Sequence, residues 1–330
     1  MILANQEQTV LPNKKSKESK VIPLKIESLT SISVLIPVYN YNATKLVTML
    51  HNYYFDEKLD IEIICCDDGS TQFLEENKQL SKLPHCTYFR SKRNKGRSQT
   101  RNFLAQKATK EYLLFLDCDV LPKNVSFFHR YINAILEGKE VVFGGWEYSV
   151  TPREQNLRWL FGIYREALPL EERIKDPYRS SFTSNILIKR NIFNSIRFES
   201  SLTEYGYEDY LFIKNLERRN IPVHHISNEI YHFIEDHSSE YLKKTNRAIE
   251  NLVYLHDYNF LDMKESKLGK MYTKLNVLKA SLLVDTFYKV FRKGMERNLT
   301  SYKPSLFVFD LYRISYFCNQ MAKEKNLKKR

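Results

Sequence analysis

Four short apolar runs, each followed by polar or charged residues, constrain the fold of this chain more than any other feature of the sequence. The runs are ISVLIPV (32–38), IEIICC (61–66), CTYFR (86–90) and EYLLFLD (111–117). Apolar runs of this length that are rich in β-branched residues are typical of buried strands. Helical segments separate them, and strands that alternate with helices form right-handed crossovers and a mainly parallel sheet. The expected fold class is therefore α/β.

The polar residues that follow two of these strands indicate where a ligand would bind. Asp67-Asp68-Gly69-Ser70 follows the second run, and Asp117-Cys118-Asp119 ends the fourth. In parallel sheets, ligands bind outside the carboxyl ends of the strands. We therefore expect both acidic clusters to lie at this edge of the sheet.

Beyond residue 140 the pattern is less regular. VVFGGW (141–146) and NILIK (185–189) resemble strands, and the stretch 150–180 between them is charged and has no clean period. Because a connection of this length inside a compact domain is usually functional, we expect a loop or lid there. Helices should follow Tyr205-Gly206-Tyr207-Glu208-Asp209 and His237. The second helix carries four apolar residues on one face, Leu242, Ile249, Leu252 and Leu255.

The net charge of +12 is concentrated at one end of the chain. Residues 31–261 carry 30 basic and 30 acidic side chains, whereas residues 262–330 carry 16 basic and 6 acidic ones. Nucleic-acid binding depends on clustered cations that release counterions, so the neutral central region argues against such a partner. Residues 1–30 are polar and Lys-rich, which predicts a flexible leader. The basic tail should be helical, with one stripe formed by Met271, Leu275, Leu278 and Leu282.

Cysteine spacing and hydropathy indicate the compartment. The five cysteines lack C-x-x-C spacing, which predicts reduced and mostly buried thiols in a reducing compartment. The N-terminal segment has no secretory apolar core, and no stretch of 18 apolar residues occurs in the chain. We therefore expect a cytoplasmic protein that does not span a membrane.

Asp117 and Asp119 flank a single residue at the end of an apolar strand, so alternation places both carboxylates on one side. Two carboxylates this close repel each other unless a cation or hydrogen-bond donors lie between them. A divalent cation with a diphosphate fits this requirement, because Mg²⁺ and Mn²⁺ accept oxygen ligands and keep positions open for phosphate. A hydrated turn is the alternative interpretation.

A basic loop precedes the helical segment that contains Arg101. Lys92-Arg93-Asn94-Lys95-Gly96-Arg97 places cations near a helix N-terminus, where backbone amides and Arg side chains favour phosphate. Gly96 would allow close approach of the backbone. We expect most of the other charges to be a solvated face.

Five motifs of the chain resemble the successive motifs of the family 2 glycosyltransferases, which have a GT-A fold. They are SVLIPVYN (33–40), IICCDDGS (63–70), NKGRSQTRN (94–102), LDCDV (116–120) and YGYEDYLF (205–212). The resemblance covers residues 31–255. Residues 181–252 further resemble a Bacteroidetes-type branch, with some likeness to chondroitin-type polymerases.

This resemblance implies a Rossmann-like GT-A domain over residues 31–261, with flanking helices and a helical C-terminal appendage over 262–330. Residues 31–140 would form the nucleotide-binding half, and residues 141–261 the acceptor and catalytic half. An inverting transferase is implied, which moves a sugar from a UDP-sugar to a hydroxyl of a glycan or a lipid-linked glycan.

The resemblance also implies roles for individual residues. Tyr39 would lie against the nucleobase, Asp68 would accept the uracil N–H, and Asp117 would bind the ribose or sugar. Arg101 would contact phosphate. The predicted nucleotide-sugar-binding set is Pro37, Tyr39, Asn40, Asp68, Gly96, Arg101 and Asp117.

The metal ligands implied by the resemblance are Asp119 and His232, which would hold Mn²⁺ or Mg²⁺ as the cofactor. His224, His225 and His237 compete with His232 for this role. A structural role is the alternative for each of these histidines.

Asp209 is implied as the general base and Glu208 as a residue that holds acceptor or donor sugar. A carboxylate can accept the proton of an attacking hydroxyl as the new bond forms. The alternative for this pair is an acidic helix N-terminus. Trp146 would contact the acceptor as a platform for a sugar ring, and buried packing is its alternative.

Three other functions compete with this interpretation. They are a retaining transferase, a catalytically silent module that binds nucleotide-sugar or glycan, and a dehydrogenase. The chain has no G-x-G-x-x-G after its first strand, which argues against the dehydrogenase.

The basic tail predicts either a membrane partner or a protein contact. Its cations lie beside aromatic residues that would place helices against anionic lipid, which suits a polyprenol-linked glycan acceptor and a peripheral location on the inner face of the cytoplasmic membrane. The alternative is packing on the catalytic domain or on a second copy in a homo-oligomer. The aromatic residues are Phe307, Phe309, Tyr312, Tyr316 and Phe317.

Overall fold

The computed structural model describes residues 30–55, 59–148, 156–233 and 237–327. The strands in these ranges are β1 (Ile32–Val38), β2 (Ile61–Asp67), β3 (Cys86–Arg90), β4 (Tyr112–Phe115), β5 (Val120–Pro122), β6 (Val141–Phe143), β7 (Trp146–Tyr148), β8 (Ile186–Lys189), β9 (His224–His225) and β10 (Ile230–His232). The α-helices are α1 (Thr44–Phe55), α2 (Leu74–Lys78), α3 (Arg97–Lys107), α4 (Phe127–Leu136), α5 (Leu157–Phe161), α6 (Leu170–Lys175), α7 (Arg190–Ile196), α8 (Glu208–Arg218), α9 (Ser238–Asp257), α10 (Lys267–Val277), α11 (Ser281–Leu299) and α12 (Leu306–Leu327).

A seven-stranded sheet forms the centre, in the order β3-β2-β1-β4-β8-β6-β9. β3, β2, β1 and β4 run parallel to one another, and β8 runs antiparallel to both β4 and β6. Val34 of β1 lies opposite Ile63 and Leu114, and all three are fully buried. Strands covered on both faces need continuous apolar sequence, which explains the runs in the sequence. The predicted α/β class with a mainly parallel sheet, flanking helices and a helical C-terminal region is confirmed.

A second sheet of three short strands, in the order β5-β10-β7, was not predicted. His232 on β10 lies opposite Val120 on β5 and Tyr148 on β7. Each strand has only three residues, too few to show an alternating pattern. This sheet brings His232 next to Asp119, which directly precedes β5.

Two apolar cores hold the molecule together. The first surrounds the central sheet, and the second joins α8 and α9 to α10, α11 and α12. Leu211 and Leu252, which precede the predicted boundary at residue 261, share this second core with Tyr288 and Phe317, which follow it. The C-terminal helices therefore pack on the preceding helices, and the division at 261 stays a prediction.

The buried aromatic residues of α12 correct the predicted lipid-facing set. Phe309, Tyr312, Tyr316 and Phe317 are buried in the second core, whereas Phe307 is exposed. Four of the five aromatic side chains are therefore unable to meet a membrane. The stripe of Met271, Leu275, Leu278 and Leu282 instead points largely outward, with only Leu275 packed against the second core.

Part of the predicted lid is helical. Residues 149–155 lie outside the described residues, and the remainder forms α5, a π-helical turn at Gly162–Glu166 and α6. Of the predicted leader, residues 1–30, all but residue 30 lie outside the described residues. Among the helices that the structure describes, none has the length and apolar character needed to cross a bilayer.

The structure buries three of the five cysteines, in agreement with the prediction that most of the thiols are buried. All five cysteines are free thiols, and Cys65, Cys66 and Cys318 are buried. Burial raises the pKa of the Cys66 thiol to about 11, so it stays protonated and unreactive.

Candidate active site

A pocket of about 560 Å³ opens at the carboxyl ends of β1, β2 and β4. Eight of the twelve predicted site residues line it: Pro37, Tyr39, Asn40, Asp68, Gly96, Asp117, Asp119 and His232. The other four, Arg101, Trp146, Glu208 and Asp209, lie behind or beside its wall. Another cavity, of about 680 Å³ between α3 and α7, contains none of the predicted residues, so we do not assign chemistry to it.

Asp68 fixes the basic loop at the floor of the pocket. One carboxylate oxygen accepts a hydrogen bond from the Lys95 backbone N–H and the other accepts one from Gly96, both at 2.9 Å. Burial raises the pKa of Asp68, and these two bonds oppose that shift. An ionised carboxylate has about four acceptor positions, more than these donors fill, so Asp68 can still accept a bond from a ligand.

Gly96 occupies a position that only glycine fits without strain. Its φ is +88°, and an added Cβ would lie 2.7 Å from the backbone oxygen of Thr203. The basic loop therefore packs directly against the segment that leads into α8.

The loop after β1 presents an aromatic face to the pocket. Tyr39 is 52% exposed, which leaves its ring available to a flat ligand. Asn40 holds this loop to the loop after β2, because its backbone N–H donates to Ser70 Oγ at 2.8 Å and its side-chain oxygen accepts from Thr71 N at 2.8 Å. Asn40 therefore shapes the site through protein contacts.

Arg101 is fully buried, hydrogen-bonds two carboxylates and forms an ion pair with a third, in contrast to its predicted phosphate contact. Its Nη1 donates to Asp209 Oδ1 at 2.7 Å and its Nη2 donates to Asp117 Oδ1 at 2.9 Å. Glu208 Oε1 lies 3.6 Å from Nη1. Burial would lower the pKa of Arg101, but the three carboxylates raise it, so the guanidinium stays charged. We call these four residues the Arg101 cluster.

Glu208 and Asp209 begin α8 and differ in exposure. Glu208 is buried, its Oε2 accepts a hydrogen bond from Gly206 N at 2.9 Å, and burial together with Asp209 raises its pKa. The Asp209 side chain is 26% exposed, so solvent and a ligand can reach Asp209 more easily than Glu208.

Arg101 was the cation predicted to contact phosphate, but other cations face the pocket. Arg97 lines the pocket, its side chain is 44% exposed, and its guanidinium lies over the Tyr205 ring at 4.9 Å. Lys244 and Arg247, three residues apart on α9, also line the pocket. Their spacing on one helical face was visible in the sequence, but their separation from the basic loop gave no signal that both would reach one pocket.

Asp119 and His232 form a pair on the wall of the pocket. His232 Nε2 lies 3.4 Å from Asp119 Oδ2. Although burial alone would raise it, the pKa of Asp119 is lowered to about 2 by His232 and Arg97. Asp119 Oδ1 and His232 Nδ1 are buried without a hydrogen-bond partner. We call the two residues and the ring behind them, Trp146, the His232 cluster.

This donor set fits a divalent cation. A carboxylate oxygen and an imidazole nitrogen suit Mn²⁺ and Mg²⁺, and both side chains have polar atoms left over. Within the described ranges, no group of three or more His, Cys, Asp and Glu side chains is placed to hold a metal ion. The protein would therefore supply two ligands, and a bound substrate the others.

The competing histidines lie elsewhere. His224 and His225 are on β9, and His225 contacts Arg173 and Ser181. Neither they nor His237 line the pocket as the described residues form it.

Trp146 is buried between other rings, whereas the prediction made it an exposed platform for an acceptor sugar. It is 8% exposed and stacks on Phe182 at 4.8 Å and on the His232 ring at 5.2 Å, and its Nε1 donates to Ser184 O at 3.0 Å. The ring therefore supports His232 and presents no open face to a sugar.

Arg158, from the predicted lid, also reaches the pocket. Its Nη1 donates to Glu166 at 2.8 Å and its Nη2 donates to Tyr148 Oη at 2.9 Å. Burial would raise the pKa of Glu166, but Arg158 and Tyr148 lower it overall. This group joins the π-helical turn to the second sheet.

A sequence model of one protein family matches the chain over residues 33–197, and its description is Glycosyl transferase family 2. The match extends from β1 to α7, so it includes Arg101, Asp117, Asp119 and Trp146 and ends before Glu208, Asp209 and His232.

Curated relatives match shorter segments. An uncharacterized glycosyltransferase of Rickettsia felis is 32% identical over 92 residues, which are 28% of this chain and 15% of that protein. One from Haemophilus influenzae is 31% identical over 130 residues, which are 38% of this chain and 50% of that protein. The chain thus spans between 15% and 50% of the length of these two relatives.

Solved structures of Staphylococcus aureus TarS have a similar but distant arrangement. TarS 1–349 in complex with UDP-GlcNAc is 15% identical, with a TM-score of 0.49 and coverage of 90% of this chain and 92% of that one. A longer TarS chain is 16% identical, with a TM-score of 0.47 and coverage of 87% and 55%.

Proposed function

Since the chain belongs to glycosyl transferase family 2, we propose that it is an inverting glycosyltransferase that moves a sugar from a UDP-sugar to a hydroxyl of a glycan or lipid-linked glycan. The observation that carries this proposal is the His232 cluster. Two side chains with unpartnered buried atoms face a pocket that also presents an aromatic ring and several cations. A nucleoside diphosphate with a divalent ion supplies partners for all of them.

The donor would bind with its base at Tyr39 and its diphosphate toward the cations. Tyr39 stacks on the uracil, and Asp68 accepts the uracil N–H with a remaining lone pair. Arg97 and Arg247 contact the diphosphate in place of the buried Arg101. Asp117 lies beside Asp119 at the end of β4 and binds the ribose or sugar.

Asp119 and His232 would hold Mn²⁺ or Mg²⁺. When bound, the ion offsets the negative charge that develops on the departing diphosphate. Trp146 keeps the His232 ring in place through its stacking contact.

Asp209 is the proposed base. Its carboxylate accepts the proton of the acceptor hydroxyl while the oxygen bonds to the anomeric carbon and the UDP leaves from the opposite face. Arg101 fixes Asp209 and Asp117 through one guanidinium, so the base and the sugar-binding carboxylate keep a constant separation. Arg158 and the helices around it would close over the bound substrates and exclude water.

A donor screen tests the proposal. The full chain is incubated with a panel of nucleotide-sugars and Mn²⁺, nucleotide release is measured, and the anomeric configuration of the product is determined by NMR. We expect release from a UDP-sugar and an inverted product. A retained configuration would overturn the mechanism, and UDP binding without release in the presence of any acceptor would indicate a silent binding module.

A further inference from the structure

The end of α10 and the outer face of α11 expose six apolar side chains within 15 residues of sequence. Their exposed fractions lie between 53% and 78%. Single exposed apolar residues are common on protein surfaces, but a contiguous group marks an interaction site. We call this surface the α10–α11 ridge, which consists of Val277, Leu278, Leu282, Leu283, Val290 and Phe291.

The ridge is held in place from behind. Tyr288, Met295 and Leu299, on the opposite side of α11, are buried in the second core. The helix therefore presents its apolar outer face because the inner face is already occupied by α12 and α9.

Basic side chains surround the ridge, and the acidic ones nearby are neutralised. Residues 267–303 contain only two acids, Asp285 and Glu296. Asp285 is buried and bonded by Lys289 at 2.6 Å, and Glu296 pairs with Arg292 at 2.7 Å. The exposed cations beside the apolar side chains are Lys270, Lys274, Lys279, Lys293 and Arg297.

We infer that the α10–α11 ridge binds an anionic lipid surface. Apolar side chains beside cations on one helical face are the combination that seats a helix in the headgroup region of a bilayer. Both contributions act together, since burial of the apolar side chains and attraction of the cations to anionic headgroups each favour binding.

A second copy of the chain is a poorer fit to this surface. A symmetric contact between two ridges would bring their lysines together without acidic partners. The predicted lipid-facing residues were aromatic side chains of α12, most of which the second core covers. The ridge takes their place as the surface that contacts lipid. The inference does not depend on the proposed transferase activity, since no residue of the ridge lines the pocket.

Cosedimentation of the full chain with vesicles tests this inference. We expect pelleting with mixed phosphatidylglycerol and phosphatidylcholine vesicles at low salt, and little pelleting at high salt or with phosphatidylcholine alone. The variant Leu278→Gln/Leu283→Gln should bind at least about tenfold more weakly, because two leucine side chains no longer enter the bilayer. Lys279→Gln/Lys293→Gln should lose about fivefold per charge.

The matched control is Val125→Gln/Leu136→Gln, which changes two exposed apolar residues far from the ridge in sequence. It should leave vesicle binding unchanged, and all three variants should keep the wild-type thermal unfolding midpoint. Absence of pelleting at low salt, or equal losses in the control, would overturn the inference. So would a concentration-dependent dimer, seen by analytical ultracentrifugation, that Leu278→Gln/Leu283→Gln breaks in a protein that does not bind vesicles.

Discussion

Asp117 and Asp119 lie two residues apart at the end of β4, yet they belong to clusters of opposite character. Asp117 is bonded by Arg101, a permanent cation that is fully buried and also bonds Asp209. Asp119 faces His232, and each of these two keeps a buried polar atom without a partner. Buried polar atoms are nearly always hydrogen-bonded in folded proteins. Arg101 Nε also lacks a hydrogen-bond partner, but each carboxylate of the Arg101 cluster already faces the guanidinium, whereas Asp119 Oδ1 has no partner. The difference therefore indicates that the charges of the Arg101 cluster are paired within the protein, whereas the His232 cluster is completed by a ligand.

The largest expected effect comes from removing the proposed base. Asp209→Asn keeps an oxygen that can accept the Arg101 hydrogen bond, but the amide is unable to take up a proton. We expect the transfer rate to fall about 10²- to 10⁴-fold, with UDP affinity by calorimetry nearly unchanged. Asp310→Asn, an exposed residue of α12, is the control. Transfer near the wild-type rate would show that Asp209 is not the base.

Removal of Arg101, the cation that three carboxylates share, should lower the free energy of unfolding. Arg101→Met leaves Asp117, Glu208 and Asp209 without their buried cation, and breaking a buried ion pair in this way costs about 3–5 kcal/mol. The loss is measured by urea unfolding at neutral pH. It should shrink in acid, because protonation removes the repulsion among the carboxylates.

Arg97→Met is the matched control for the Arg101 variant. Arg97 lies 3.9 Å from Glu208 and its side chain is 44% exposed, so its loss should cost less than about 1 kcal/mol. Equal losses in the two variants would contradict the view that Arg101 completes its cluster.

The sequence was sufficient to predict six of the seven strands of the central sheet, all except the two-residue β9, and most of the pocket. Buried strands such as β1 and β2 require continuous apolar residues, and the motifs that follow them necessarily meet at one edge. The partners of Arg101 were beyond prediction, because Asp117 and Asp209 are 16 and 108 residues away along the chain. An Arg beside a helix N-terminus has the same local sequence whether it contacts phosphate or buried carboxylates.

In the C-terminal region, the hydrophobic periodicity did not predict which face of each helix is buried. It located a stripe on α10 and α11 and aromatic residues on α12, but a stripe alone does not say which side is covered. Leu278 proved exposed and Phe317 buried, because α9 and α11 pack against α12. Burial of this kind depends on contacts between distant segments.

Chelation of the metal should weaken UDP binding if the His232 cluster is completed by a ligand. We expect UDP affinity in Mn²⁺ to exceed that in chelator by at least about tenfold, which corresponds to ~1.4 kcal/mol. Asp119→Asn should bind UDP weakly in both conditions. Glu204→Gln changes another acid that lines the pocket and should keep the metal dependence. Full affinity of the wild type in chelator would mean that the cluster does not need a cation.

The smallest effect is expected from Trp146→Leu, and it distinguishes the observed position of this ring from its predicted role. Trp146 stacks on His232 at 5.2 Å with an interplanar angle of 18°. Loss of one such aromatic contact is worth about 0.5–1.5 kcal/mol. The Mn²⁺ concentration needed for half-maximal UDP binding should therefore rise about three- to tenfold, while the KM for the acceptor stays unchanged.

A platform for an acceptor sugar would produce the reverse result, because the acceptor KM would rise and the Mn²⁺ dependence would not move. Trp159→Leu is the matched control, since the chain has two tryptophans and Trp159 does not line the pocket. Trp159→Leu should change neither the acceptor KM nor the Mn²⁺ dependence of UDP binding. If the acceptor KM rose in Trp146→Leu and not in Trp159→Leu, Trp146 would contact the acceptor as first predicted. Its stacking on His232 would then have no role in metal binding.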